Sequence, residues 1–238
     1  MEDKQSIRER VWQSIESAPE VRRLPGTHGR IPNFVGAEAA AERLAALPEW
    51  RAARVIKLNP DSPQLPVRAR AIDEGKLVYM AYPKLASETP FFVLERSRLG
   101  PGVSALDAAS IAGANRHGIA TRLEDMSPID LIVSGTVAVN ARGVRIGKGG
   151  GYADLELALL SELGLVGENT LLVTSVHDLQ VLDQELPETA HDFRVDRIVT
   201  PTRVLECPRV ARPRGILWQD LDAAKIASIP LLARRLPR

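Results

Sequence analysis

Cysteine is almost missing from the 238 residues: Cys207 is the only one. A single cysteine excludes an internal disulfide framework and any multi-cysteine metal site. It fits a reducing compartment. Charge of one sign is missing too. Lys and Arg number 31 against 30 Asp and Glu, for a net charge of +1. That balance gives no bulk electrostatic argument for a nucleic-acid or membrane partner. No apolar run approaches the length of a membrane span. The opening MEDKQSIRERVWQS is charged throughout, unlike a secretory signal. No internal repeat or low-complexity linker is visible. These absences read as a protein of the cytoplasm with no membrane and no nucleic-acid partner.

What is present suits a globular protein. Hydrophobic residues make up 45% and charged residues 26% of the chain, enough to build a full core. Residues 4–17 predict a helix, with Ile7, Val11 and Ile15 on one face. Lys4 and Arg8, four apart, share another face and can address one target, although alone they also read as a solvated face. Residues 19–34, rich in Pro, Gly and bases including Arg22, Arg23, His28 and Arg30, predict an irregular arm. That arm either folds over a site or stays a surface segment. Residues 36–47 predict a strong helix.

Strands and helices then alternate. Strands are expected at 54–58, 77–81, 91–94, 129–133, 136–140, 170–176 and 197–199. Helices are expected at 63–73, 107–112, 154–163 and 217–232, the last interrupted by Pro230. Ile129 to Val133 is an apolar run between Pro128 and Gly135, the mark of a buried parallel strand. The alternation implies an α/β layered fold with a mostly parallel sheet. Ligands of such sheets sit at the carboxyl ends of the strands.

The most informative stretch is Arg145 to Asp154, RIGKGGGYAD. Gly147, Gly149, Gly150 and Gly151 lie directly before a predicted helix. Glycines bring backbone N–H groups close to an anion, and the helix adds its own unpaired N–H groups and dipole. Arg145 and Lys148 supply fixed positive charge. Asp154 is either an N-cap or a magnesium ligand beside phosphates. Two common nucleotide motifs are excluded. A dinucleotide GxGxxG would need glycine where Tyr152 stands, and a Walker loop would need Ser or Thr where Gly149 stands. Tyr152 suits either stacking on a ligand ring or packing. His177-Asp178 and His191-Asp192 read as dispersed polar pairs, Cys207 as inert, and Arg209, Arg212 and Arg214 as a solvated linker.

The loop and its flanks resemble the 5-formyltetrahydrofolate cyclo-ligase family, the methenyltetrahydrofolate synthetases. That family has an apolar strand ending in Asp-Leu-Ile, a second strand, then Gly-x-Arg-Leu-Gly-x-Gly-x-Gly-Tyr-Tyr-Asp. Here Ile129 to Asp154 reads IDLIVSGTVAVNARGVRIGKGGGYAD. HDFRVDRIVTPTR at 191–203 is similar to its acidic downstream strand, and KQSIR at 4–8 to its Lys-x-x-x-Arg opening. RIPNF, VHDLQVLD, TPTRV and the loop with the helix after it are more similar still to the divergent methenyltetrahydrofolate synthetase domain-containing branch. Some members of that branch carry an RNA-recognition domain, whose aromatic sheet signature is not found here.

The resemblance implies one cyclo-ligase-like domain over 1–238, with an N-terminal helix and irregular arm over 1–35. It implies a three-layer α/β sandwich of the sugar-isomerase/CoA-transferase type (NagB/RpiA-like). It implies ATP and magnesium (Mg2+), a small folate substrate, and a monomer or homodimer. Lys4, Arg8, Arg145, Lys148 and the glycines Gly147, Gly149, Gly150 and Gly151 would hold ATP phosphates. Asp154 and Asp192 would hold magnesium. Tyr152 would lie between nucleotide and folate, and Arg145, Lys148 and Tyr152 would serve the catalytic step. The implied reaction converts 5-formyltetrahydrofolate to 5,10-methenyltetrahydrofolate through a phosphorylated formyl group. Such chemistry asks mainly for positioning and charge neutralisation.

The sequence departs from the family pattern at three places. Ala153 replaces the second tyrosine, and Leu155 stands where arginine is frequent. In NPDSPQLPVR, 59–68, Ser62 and Pro63 replace an acidic group, with Asp61 nearby. The phosphate half of the site is thus kept better than the folate half. Two other readings follow: a paralogue using ATP on a different small molecule of one-carbon or thiamin-related metabolism, and a non-catalytic nucleotide-binding regulator.

Overall fold

A computed structural model describes residues 2–21 and 26–236. Arg22 and Arg23 of the basic arm lie outside the described residues. The chain opens with α1 (Lys4–Glu16), followed by α2 (Ala37–Ala45) and α3 (Pro48–Ala52). β1 (Val55–Leu58), α4 (Leu65–Asp73), β2 (Leu77–Ala81) and β3 (Phe91–Leu94) come next. Two short helices, α5 (Ala105–Ala108) and α6 (Ile111–His117), lead to β4 (Ile119–Thr121) and β5 (Leu131–Ser134). β6 (Ala138–Val139), β7 (Arg145–Ile146), α7 (Tyr152–Glu162), β8 (Leu171–Ser175), β9 (Arg197–Val199) and β10 (Val204–Glu206) follow. The described chain ends with α8 (Ala223–Ser228) and α9 (Pro230–Arg235).

Eight strands form one sheet in the order β10-β9-β8-β5-β1-β2-β3-β4. The five central strands, β9 through β2, are parallel, and β10, β3 and β4 each join the sheet by antiparallel pairing with the preceding neighbour. The parallel core is buried on both faces, and side chains alternate strictly between them. Ile56, Leu58, Val78, Met80, Leu131, Val133, Leu171 and Val173 face a layer that includes α1, α2 and α4. Tyr79, Ile132, Leu172 and Ile198 face the opposite layer, built from α7 and α9 through Leu157, Leu160, Leu231 and Leu232. This is the expected three-layer α/β sandwich with a mostly parallel sheet.

Local chemistry sets the element ends. Asp3 caps α1 by accepting from the N–H groups of Gln5 and Ser6 at 2.8 and 3.0 Å. The interruption expected at Pro230 is present: α8 ends at Ser228, and Pro230 begins α9 at its first turn, where its missing N–H is no loss. The strand expected at 136–140 shrinks to β6, which leaves the main sheet and pairs with β7 alone. Arg145, expected in the loop, therefore belongs to a strand. Asp154, considered as an N-cap, sits inside the first turn of α7, because Gly151 takes the cap position with φ +65°. Edge strands β4 and β10 escaped the sequence reading, being only three residues each.

Candidate functional site

The carboxyl ends of β1, β2 and β5 open on the same edge of the sheet, because these strands are parallel. A cavity of about 520 Å³ lies there. Asn59, Pro60 and Asp61 after β1, Tyr82 and Lys84 after β2, and Gly135 after β5 line it. The glycine loop and the start of α7 close the opposite wall. Gly29, Arg30 and Ile31 complete the lining, so this part of the arm does fold over the site. The Trp12 indole N–H donates to the Arg30 carbonyl at 2.9 Å, tying the arm to α1.

Gly149 and Gly151 have φ of +102° and +65°, values that side-chain-bearing residues rarely adopt. Gly151 offers no side-chain cap, so the first N–H groups of α7 stay open to a ligand. Arg8 donates from Nε to the Gly147 carbonyl at 2.7 Å, and burial holds its guanidinium below the usual arginine range. Lys225, on α8, donates to the Gly150 carbonyl at 2.6 Å and lies 3.4 Å above the Tyr152 ring. Lys148 donates to Asp61 Oδ1 at 2.8 Å, bridging the loop to the segment after β1.

Arg145 is buried, with its guanidinium 4.0 Å from the Phe193 ring centroid. Its Nη2 donates to Asp154 Oδ1 at 2.7 Å and its Nη1 to the Gly135 carbonyl at 3.3 Å. Its Nε is buried without a partner among the described residues. Asp192 accepts from Lys4 and from the Thr189 N–H and hydroxyl, the latter two at 2.6 and 2.7 Å. Burial works against ionisation of Asp192, but these donors outweigh it and hold the carboxyl below its usual range. The expected metal pair is thus divided between two cations: Asp154 serves Arg145 and Asp192 serves Lys4. Among the described residues no cluster of three or more His, Cys, Asp or Glu is placed to hold a metal.

Below the loop lies a group that sequence reasoning missed. Lys57 points from β1 into the apolar layer beneath α7 and pairs with Glu156; both side chains are under 5% exposed. Asn59 Nδ2 also donates to Glu156 Oε2, at 3.0 Å. The available signal was one charge inside an otherwise apolar strand, VIKL. Lys225 had no such signal, because only the fold brings α8 to the loop.

The remaining polar residues are structural. His177 caps a short turn by accepting from the Leu179 N–H, and burial holds its ring below the usual histidine range. His191 meets Asp220 at 2.9 Å. Cys207 is buried and its thiol is pushed up to about 11 by burial, as its expected inertness requires. Arg212 does not belong to a solvated linker: it is largely buried and donates to Asp196 at 2.7 Å. No described helix is long and apolar enough to cross a membrane.

Fold and site together define an α/β protein with a glycine-rich, cation-lined loop at the carboxyl edge of a mostly parallel sheet. More particularly, the chain belongs to the 5-formyltetrahydrofolate cyclo-ligase family, a family of cyclo-ligase enzymes whose model matches residues 1–201. It is 39% identical over 237 residues to a methenyltetrahydrofolate synthase domain-containing protein of Mus musculus, covering 96% of this chain and 62% of that protein. The Homo sapiens protein of the same description is 36% identical, covering 96% of this chain and 60% of that one. The chain thus spans about three-fifths of the length of these relatives. A probable 5-formyltetrahydrofolate cyclo-ligase of Schizosaccharomyces pombe is 26% identical over 174 residues, 69% of this chain and 83% of that one. In fold the chain is similar to the Aquifex aeolicus 5,10-methenyltetrahydrofolate synthetase, with a TM-score of 0.55 at 22% identity, over 87% of this chain and 94% of that one.

Proposed function

We propose that the chain is an ATP- and magnesium-dependent 5-formyltetrahydrofolate cyclo-ligase, with residues 1–238 acting as one domain. The observation that carries this reading is the cradle. A glycine loop at a helix N-terminus, with Lys148 within it, Arg8 and Lys225 touching it and Lys4 on the same helix face as Arg8, suits a triphosphate beside a cavity of folate size.

In the proposed reaction the formyl oxygen on N5 attacks the γ-phosphorus and ADP leaves. N10 then attacks the activated formyl carbon, the C–O bond breaks, and phosphate and the N10 proton are released. Arg145, Gly147, Lys148, Gly149, Gly150 and Gly151 hold and neutralise the phosphates, with Lys4 and Arg8 supporting them from α1. Tyr152 separates the nucleotide from the folate. Magnesium fits this donor set only together with phosphate oxygens, which agrees with its habit of using one or two carboxylates plus substrate oxygens. Asp154 and Asp192 each keep one carboxylate oxygen that no described side chain engages. When bound, the ion would be held by Asp154 and Asp192 and would offset phosphate charge.

The test is direct. Purified protein with ATP, magnesium and 5-formyltetrahydrofolate should develop the absorbance of 5,10-methenyltetrahydrofolate, and no product under these conditions removes the reading. One feature favours a different small molecule as acceptor: Ala153 lines the cavity where a second ring would stand. ATP turnover driven by another metabolite, and not by 5-formyltetrahydrofolate, would select that alternative.

A further inference from the structure

Lys57 occupies a costly place. It lies in the middle of β1, between Tyr79 and Ile132 of the neighbouring strands, and is 2% exposed. A buried ammonium there requires a partner, which Glu156 supplies from α7. Stability does not explain the pair, since buried ion pairs are commonly replaced by apolar residues of similar size without loss. Its geometry offers another reason. Lys57 and Asn59 both donate to one oxygen of Glu156, Oε2. Asn59 is itself oriented, because its Oδ1 accepts from the Gly135 N–H at 3.2 Å. The second oxygen, Oε1, receives no donor from any described residue, and Glu156 lines the 520 Å³ cavity. The cavity therefore has an anion-attracting rim at the glycine loop and a fixed carboxylate acceptor deeper in.

We propose that Glu156, held by Lys57 and Asn59, is a specificity residue that accepts hydrogen bonds from the N–H edge of an amino-substituted heterocycle of the pterin class. The inference rests on the folate reading above and names the group that would recognise the ring. The asymmetry of the cavity orients the ligand. A phosphate is repelled by this carboxylate, and the other two carboxylates of the lining, Asp61 and Asp154, are paired with the loop's own cations Lys148 and Arg145. A 2-amino-4-oxo ring presents an amino group beside a ring N–H, both on the edge that a carboxylate accepts from. A ring lacking those donors leaves a buried carboxylate oxygen unpaired, and sites built to pair with a donor reject the analogue without it strongly. Lys57 and Asn59 are positioning residues in this scheme, acting through Glu156.

The experiment measures binding of two free rings, pterin and its analogue without the 2-amino group, to the full chain. ATP binding is measured in parallel. The same three measurements are made on the double variant Lys57→Met/Glu156→Leu, which removes both charges together and preserves apolar packing, and on Glu156→Gln, which keeps shape. The wild type should prefer pterin by about tenfold or more. Both variants should lose that preference while ATP affinity stays unchanged. Equal binding of the two rings by the wild type, binding of neither, or a preference that survives in a folded variant overturns the proposal. Should the double variant fail to fold, Glu156→Gln alone decides. Product formation is scored separately. Glu156-dependent pterin binding without turnover defeats the cyclo-ligase reading and leaves this inference standing, and turnover indifferent to Glu156 does the reverse.

Discussion

Two ion pairs frame the cavity, and their surroundings give them opposite properties. Lys57–Glu156 is sealed beneath α7, with side chains 3% and 4% exposed. Lys148–Asp61 crosses the mouth, with Lys148 44% exposed. In a low-dielectric interior, loss of one partner leaves an uncompensated charge, whereas at the surface water replaces the lost partner. The inner pair is therefore a fixed part of the floor. The outer pair can open cheaply. One cavity thus has a buried ion pair at its floor and a partly exposed one at its mouth.

The largest effect is expected at the floor. Lys57→Met or Glu156→Leu alone should destabilise the protein by about 3–5 kcal/mol, and combining them should restore most of that loss in denaturant titrations. Strict additivity of the two losses would show that the pair is not coupled. Next comes the loop. Gly149→Ala forces a side chain onto φ +102°, at about 1–2 kcal/mol of local strain, and should weaken ATP binding about tenfold in calorimetry. Lys225→Met removes both the Gly150 anchor and the contact with Tyr152. It should raise the KM for ATP several-fold and change the melting temperature little.

At the mouth, Asp61→Asn should change stability by less than about 1 kcal/mol. Any effect of this variant on ATP affinity should be a gain, since Lys148 is freed, and a large stability loss would contradict the contrast between the pairs. The smallest effect concerns pH. Asp192 contributes stability that is complete above the unfolded carboxylate pKa of about 3.9, and this is lost as pH falls through its lower folded value. Stability of the wild type and of Asp192→Asn, followed by pH titration, should therefore converge only in acid. Curves parallel from neutral pH downward would show that Lys4 and Thr189 do not hold this carboxylate.

Much of this was legible in the chain. The apolar run at 129–133, the glycine loop and the helix at 4–17 each carry a strong local pattern, and each stands in the structure close to its expected limits. The short edge strands β4 and β10 carried too few residues for a period. Asp192 and Lys4 are 188 residues apart, and no local pattern announces that they meet. The arm at 29–31 offered two readings until its backbone was seen along the cavity wall.

The sequence by itself determined the backbone of the glycine loop. Consecutive glycines before a helix create positive-φ backbone and open N–H groups wherever the fold places them. It also determined the layered class, because strand and helix periods alternate along the chain. The tertiary structure decided which charges meet the loop and which pair beneath α7. Lys225 reaches Gly150 across 75 positions and Lys57 reaches Glu156 across 99. Such pairings follow from the packing of layers on the sheet, since strand register fixes which side chains share a face and the helix above it fixes what they meet.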